Sequence, residues 1–454
     1  MTAPGGRGIV PDMSGPTFRV IVTVGTRPEA IKLVPLILAL RESGSLTPVV
    51  VSSGQHHAMV QEVLGLAGIT PDVDLWVGFR HSSLNSRVAA FMRRFEDYLS
   101  TTFAAVTGER PTREAVLDGS FPAVVLVHGD TSSAFAAALA AFHLRIPVGH
   151  VEAGLRTGGY NFSPFPEELN RQLISCIAAI HFAPTADNEE NLVRENIAAN
   201  QIFVCGNTGI DALQWAAGLD VPFDDPRLAD LVEGDARVVV VTAHRRENWG
   251  DGLHGIAEGI ARLAGERPEL RFVLPLHPNP RVRSDLRPAL EPLENVLLTE
   301  PLRYTAMAKL LARCDLVITD SGGLQEEAPS LDKPVLVARD STERTEGVDA
   351  GTLRMVGTDP DRIVSEAARL LDDPVAYAAM AGARNPYGDG RAAHRIVAQL
   401  DHMVTGRNPP EPFGSGYSRS AILKAVGADS WLDPLPEQDA GERWEEHLSA
   451  ASDA

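Results

Sequence analysis

The chain has 454 residues, of which 44% are hydrophobic and 22% charged, and 60 acids against 41 lysines and arginines give a formal net charge of −19. That length exceeds one ordinary hydrophobic core, so two domains of roughly 150–200 residues plus a remainder are expected. The acidic balance excludes a sequence-independent nucleic-acid binder, which needs a basic face to neutralise phosphates; any phosphate bound here is met by a few local cations.

The opening residues, 1–17, lack a charged start followed by an apolar run and read as a loose tail. From residue 18, short β-branched runs alternate with helical patterns, the signature of parallel strand–helix–strand units. Strands are expected at 18–25, 48–54, 123–130, 147–154, 180–184 and 201–206, with helices at 30–42, 84–106 and 132–144. In the helix at 84–106, Phe91, Phe95 and Tyr98 share a face suited to packing. A second set of strands follows at 237–244, 270–277, 296–299, 315–320 and 334–339. The fold class is therefore α/β, with two Rossmann-like doubly wound domains at 18–205 and 206–389. The break at 206–236 is marked by Pro222, Asp224, Asp225 and Pro226. A helix at 390–404 is placed to pack back on the first domain. Residues 405–454 hold nine acids against four bases and form an acidic Pro/Gly-rich tail, with a short helix at 420–426.

Cys176, Cys205 and Cys314 form no C-x-x-C and cannot all pair, which fits a reducing cytosol. No run of 18 apolar residues occurs, so a cytoplasmic protein without a membrane partner is expected. His56 and His57 project differently and bring no carboxylate at ligand spacing, so no metal site is assigned.

In open parallel sheets ligands meet the loops that follow the strands. The first strand runs into GTRPEAIK (25–32), where Arg27, Lys32 and the amides of a helix start make an anion site. Neither G-x-G-x-x-G after a strand nor G-x-x-x-x-G-K-[ST] is present, which disfavours nicotinamide and Walker-type readings. The second half offers His244, Arg245 and Arg246 after one strand, and Ser321, Gly322 and Gly323 before the next helix, with Glu326 and Glu327 a turn further on. A diphosphate held by His244 and the 321–323 turn, with Glu327 on ribose hydroxyls, fits this pattern.

Taken together, GTRPEAIK (25–32), SGQHHAM (53–59), VHGDTSS (127–133), HVEAGLRTG (150–158), PEELNR (166–171), GNTGIDAL (206–213), AHRREN (243–248), DSGGLQEEAPSLDKPVLV (320–337), STER (341–344) and NPYGDG (385–390) resemble the non-hydrolysing UDP-N-acetylglucosamine 2-epimerases. The resemblance implies a glycosyltransferase-B-like fold with an interdomain cleft, a homodimer, no cofactor, and epimerisation of UDP-GlcNAc to UDP-ManNAc for cell-surface polysaccharide synthesis. It further implies that Asp130, Glu152, Glu167 and His244 are catalytic. Arg27, Lys32, Ser321, Gly322, Gly323, Glu327 and Arg344 would bind the UDP portion. A second UDP-GlcNAc acting as allosteric activator near 53–59 is also implied, although Ala58 stands where a longer polar side chain is common. Thr345 replaces a usual proline, and GGYNFSPFPEE carries one extra residue before Glu167. Alternatives within the same chemistry are a related UDP-2-acetamido sugar, a hydrolysing epimerase or a UDP-sugar glycosyltransferase; a non-catalytic UDP-sugar sensor stands outside it.

Overall fold

The computed structural model describes residues 17–77, 83–103, 105, 109, 111–157 and 161–414. Of the segments anticipated above, residues 1–16, the tail beyond 414 with its helix at 420–426, and the loop residues 158–160 lie outside that description. The described residues form two compact units, one running up to Thr208 and resuming at Arg391, the other spanning Gly209–Gly390.

In the first unit the chain builds β1 (Phe18–Val24), α1 (Arg27–Glu42), β2 (Leu46–Ser52), α2 (His57–Leu66), β3 (Val73–Asp74), α3 (Leu84–Phe103), α4 (Arg113–Leu117), β4 (Val124–His128), α5 (Ser132–His143), β5 (Val148–Val151), α6 (Glu167–Ile177), β6 (Ile180–Ala183), α7 (Ala186–Arg194) and β7 (Ile202–Val204). The strands pair in parallel in the order β3-β2-β1-β4-β5-β6-β7. Such a sheet buries both faces, which is why β4 reads VVLVH without alternation and is buried throughout.

From α8 (Thr208–Ala217) the chain enters the second unit: α9 (Pro226–Glu233), β8 (Val238–Thr242), α10 (Asp251–Glu266), β9 (Arg271–Pro275), α11 (Pro280–Leu290), β10 (Val296–Thr299), α12 (Tyr304–Arg313), β11 (Leu316–Thr319), α13 (Gly322–Glu327), β12 (Val335–Val337), α14 (Thr345–Asp349), β13 (Leu353–Met355), α15 (Pro360–Asp372) and α16 (Pro374–Ala381). Its parallel sheet has the order β10-β9-β8-β11-β12-β13. Alternate residues of β8 feed two cores, Val239 and Val241 on one face and Val238 and Val240 on the other. The last helix, α17 (Ala392–Thr405), packs on α1 of the first unit, where its Asp401 accepts a hydrogen bond from Ser45 Oγ.

Element boundaries differ from expectation where local chemistry extends or trims a helix. α1 starts at Arg27, three residues early, because Pro28 suits a first turn and Thr26 with Glu29 forms a capping box. On α3 the buried stripe is Phe91, Phe95, Leu99 and Phe103. Tyr98, expected on that stripe, falls one residue off it and is only half-buried. The edge strands β3 and β13 have two and three residues, too short for a periodic signal.

Candidate functional site

Sheet order reverses between β1 and β4 in the first unit and between β8 and β11 in the second. At such switch points adjacent loops diverge and leave a crevice beyond the strand ends. The expected residues Asp130 and His244 lie in the loops at those ends, with Arg27 at the first position of α1 and Ser321 and Gly322 following β11.

In the first unit Glu152 directly follows β5 with φ 64°, a left-handed backbone conformation that non-glycine residues adopt rarely. Two residues on, Gly154 has φ 86°, and a Cβ there would sit 2.2 Å from the Asn188 carbonyl oxygen, so only glycine fits. The Glu152 carboxylate is paired with Lys32 Nζ, and His128 Nε2, at the end of β4, lies 3.7 Å away. Burial pushes the Glu152 carboxyl up, but Lys32, His128 and Arg171 outweigh it and hold the group down at about 2. His128 is itself pushed down to about 4 by burial, so it is neutral at pH 7 and presents Nε2 toward both Glu152 and the Thr208 hydroxyl, 3.4 Å away.

Asp130 is paired with Arg171 of α6, whose other nitrogen donates to Glu168 at 2.8 Å. Asn170 ties the Asp130 carbonyl to the same helix at 2.9 Å. Arg171 and Glu168 are both buried, whereas Glu167, at the first position of α6, is half-buried. The helix therefore divides the acid pair, with Glu168 structural and Glu167 turned to a different environment. Arg27 opens α1 and its Nε has no hydrogen-bond partner among the described residues. Glu29, one turn into α1, accepts from Gly25 N–H at 2.9 Å and from the Thr131 hydroxyl at 2.6 Å. Burial pushes its carboxyl up to about 7 despite those bonds.

In the second unit the loops after β8 and β11 are fastened by Asp320. Its Oδ2 accepts from the His244 N–H at 2.7 Å, the Arg245 N–H at 2.8 Å and Asn248 Nδ2 at 3.2 Å. His244 also faces Asp320 through its ring and stacks on His277, with centroids 5.4 Å apart and planes 8° from parallel. Burial lowers the His244 pKa; Asp320 opposes that shift, while His277 and Arg245 add to it.

At the head of α13 the Ser321 N–H already donates to Thr319 Oγ1 at 2.9 Å, so the amides of Gly322 and Gly323 carry the turn that was expected to use all three. A Cβ on Gly322 would lie 3.2 Å from Arg245 Nη2 and 3.4 Å from Arg344 Cζ, which shows both guanidiniums converging there. Arg344 is braced by Glu326 and Glu343, each at 2.8 Å, and these acids raise its pKa against the lowering effect of burial. Glu326, not Glu327, takes Arg344; Glu327 closes α13.

The structure thus gathers Lys32, Asp130 and Glu152 on the first unit, and His244, Gly322 and Arg344 on the second. Lys32, grouped above with the UDP-binding residues, is bound to an expected catalytic acid. His128 and Asp320 were not singled out from the sequence, and neither was the pairing of Arg171 with Asp130. Their signal was position alone, since His128 and Asp320 lie beside strand ends and Arg171 in PEELNR. His57, read as having no carboxylate at ligand spacing, pairs through Nδ1 with Asp74 Oδ2 at 2.6 Å, supplied by β3 and 17 residues away. Among the described residues no three His, Cys, Asp or Glu side chains are grouped to hold a metal ion, and no helix is long and apolar enough to cross a membrane. A cavity of about 540 Å³ is lined by residues of α10 and α11, including His254, Glu258, Arg262 and Asp285, and by none of the strand-end groups.

Two parallel α/β units with polar groups concentrated at their switch points define a class of ligand-binding enzyme scaffold, and comparison with known proteins narrows it. The family model described as UDP-N-acetylglucosamine 2-epimerase matches residues 38–401. The UDP-N-acetylglucosamine 2-epimerase of Yersinia pestis is 44% identical over 394 residues, 86% of this chain and 100% of that protein. The enzyme of the same name from Escherichia coli K12 is 44% identical over 388 residues, 84% of this chain and 98% of that one. The crystal structure of Neisseria meningitidis UDP-GlcNAc 2-epimerase bound to UDP-GlcNAc aligns with a TM-score of 0.67 at 41% identity, covering 84% of this chain and 99% of that chain. The chain belongs to the UDP-N-acetylglucosamine 2-epimerase family and is an isomerase.

Proposed function

We propose that the protein interconverts UDP-N-acetylglucosamine and UDP-N-acetylmannosamine by anti elimination of UDP and its re-addition through 2-acetamidoglucal. The C2–H bond has no neighbouring carbonyl, and a positioned base contributes only about 10²–10⁴-fold. Expelling UDP from C1 as the C2 proton leaves makes C1 cation-like and acidifies that proton. The C1–O electron pair departs on the β-phosphate, and the C2–H pair becomes the glucal double bond. Re-addition of a β-phosphate oxygen of the released UDP to C1, with a proton delivered to the opposite face of C2, gives the epimer; atoms and electrons balance without a redox partner.

Asp130, Glu152 and Glu167 are assigned the proton transfers, and His244 the departing diphosphate. Arg27, Lys32, Ser321, Gly322, Gly323, Glu327 and Arg344 are assigned to the UDP portion, Lys32 being shared with Glu152. The observation that carries this reading is the pairing at the first sheet's switch point: Glu152 held ionised by Lys32, beside an Asp130 held by Arg171, in a chain of this family. The free thiols of Cys176, Cys205 and Cys314 support a cytoplasmic setting for the reaction. The reading includes a homodimer and a second, activating UDP-GlcNAc near 53–59, tested by sedimentation and by the shape of initial rate against UDP-GlcNAc concentration.

The direct test is incubation with UDP-GlcNAc in D₂O followed by NMR. Deuterium entering C2 as UDP-ManNAc appears is the expected result. Free ManNAc would identify a hydrolysing enzyme, and tight UDP binding without exchange at C2 would remove this substrate from consideration.

A further inference from the structure

Asp320 is fully buried, and its two oxygens have unequal surroundings. Three N–H donors converge on Oδ2, as they would on a carboxylate. Oδ1 makes no hydrogen bond among the described residues, yet it lies 3.4 Å from His244 Nδ1. A buried acceptor left unmatched is unfavourable, and acid–base pairs that are long at rest tighten when the reacting group binds. A bare Nδ1 would set lone pair against lone pair, so the neutral ring carries its proton on Nδ1 and leaves Nε2 an acceptor.

We infer that Asp320 is the positioning residue of an Asp–His pair that fixes His244 in the Nδ1–H tautomer and makes diphosphate binding take up a proton at His244 Nε2. This rests on the reading that His244 meets the diphosphate. The groups around the ring act in a consistent direction. His277 stacks on it from the loop after β9, and that ring's own Nδ1 is occupied by the Asn279 N–H at 3.2 Å. Arg245 adjoins it in the same loop, and Trp249 Nε1 donates to the His244 carbonyl at 3.2 Å, holding the backbone rather than the ring. Burial, His277 and Arg245 disfavour a second proton on the resting ring, and only Asp320 favours it. The negative charge of a bound diphosphate tips that balance. A proton from solvent then occupies Nε2 and turns it from an acceptor into a charge-assisted donor aimed at the leaving oxygen. Anchoring the loop backbone and setting the tautomer are two jobs of one side chain, one for each oxygen.

The test begins with the unaltered protein, labelled with ¹⁵N in histidine, with the His244 signals identified by their loss in His244→Gln. The ring is expected to show a protonated Nδ1 and a bare Nε2 in the free protein at neutral pH, and both nitrogens protonated after UDP is added. Calorimetry of UDP binding in buffers of different ionisation enthalpy is expected to give uptake approaching about one proton per UDP. Asp320→Asn can keep its carbonyl on the three donors while offering N–H to Nδ1. If folded by circular dichroism, it is expected to lose the uptake and to lower kcat by about a hundredfold. An Nε2–H tautomer in the free protein, or UDP binding without proton uptake, overturns the inference. Absence of UDP binding overturns the functional reading as well, whereas the free-protein tautomer judges the Asp–His pair independently of it.

Discussion

In the first unit the loops after β1, β4 and β5 bring Asp130 and Glu152 against Lys32 and Arg171, whereas in the second the loops after β8, β11 and β12 bring His244, Arg245 and Arg344 around Asp320 and Gly322. The strand order is the same around both switch points: the second and third strands lie outside the first on one side, and the fourth lies on its other side. One scaffold therefore carries acids steadied by cations in one copy and cations steadied by acids in the other. Function resides in the few residues that follow the strands, not in the sheet that places them. The elimination proposed above, which moves a proton at C2 and releases a diphosphate from C1, would call on both kinds of group.

Four changes would break or sharpen that contrast. The largest effect is expected from Glu152→Gln and Asp130→Asn, which should cut deuterium exchange at C2 by about 10²–10⁴-fold while UDP affinity, measured by calorimetry, stays close to that of the unaltered protein. Loss of UDP binding instead would mean that the acids hold the nucleotide.

Next comes acid instability. Burial pushes His128 to about 4, His150 to about 3 and His181 to about 4, all from 6.5, and pushes Glu29 from 4.5 to about 7. Between pH 4.5 and 6.5 the unfolded chain gains protons at three histidines and gives one up at Glu29, so about two are taken up on unfolding. Stability should then fall by about 3 kcal/mol per pH unit as pH drops through that window, as read by urea unfolding. Between pH 6.5 and 7 Glu29 acts in the opposite direction, since its protonated form is favoured by folding and is lost as pH rises. A flat profile from pH 6.5 to 4.5 would mean that the buried histidines are solvated.

On the second unit, Arg344→Met should weaken UDP binding by about 10–100-fold, the range for one charge-assisted hydrogen bond, and leave C2 exchange at saturating substrate much less affected. The smallest and most specific effect is expected from Lys32→Met. Removing the cation should raise the Glu152 pKa, so the base stays protonated to higher pH and the acid limb of kcat/KM moves up by about one pH unit or more. An unmoved limb would separate Lys32 from the function of Glu152.

The strands at the centre of each sheet could be read from the sequence because both of their faces are buried, as β4 and β8 show. The edge strands β3 and β13 could not, since two or three residues carry no period. His244 stood out because it follows a β-branched run, whereas Asp130 and Glu152 were picked out by the resemblance of VHGDTSS and HVEAGLRTG to the family's motifs. Their partners did not stand out. Lys32 lies 120 residues from Glu152, Arg171 lies 41 from Asp130, and Asp320 lies 76 from His244, so these pairs exist only once the sheets align the loops. Glu167 and Glu168 were separable in principle by helical phase. The structure separates them by burial, placing Glu168 on Arg171. Lys32 illustrates the limit of motif reasoning, since its place in GTRPEAIK suggested an anion and its contact is a carboxylate that an anion would compete with.

The proposed reaction requires that inversion at C2 proceed through cleavage of the C1–O bond. UDP-GlcNAc carrying heavy oxygen in the bridge between C1 and the β-phosphorus measures that cleavage directly. The account predicts that the label scrambles into the non-bridging β-phosphate positions while deuterium enters C2 from D₂O. Inversion at C2 with the label retained in the bridge would contradict it.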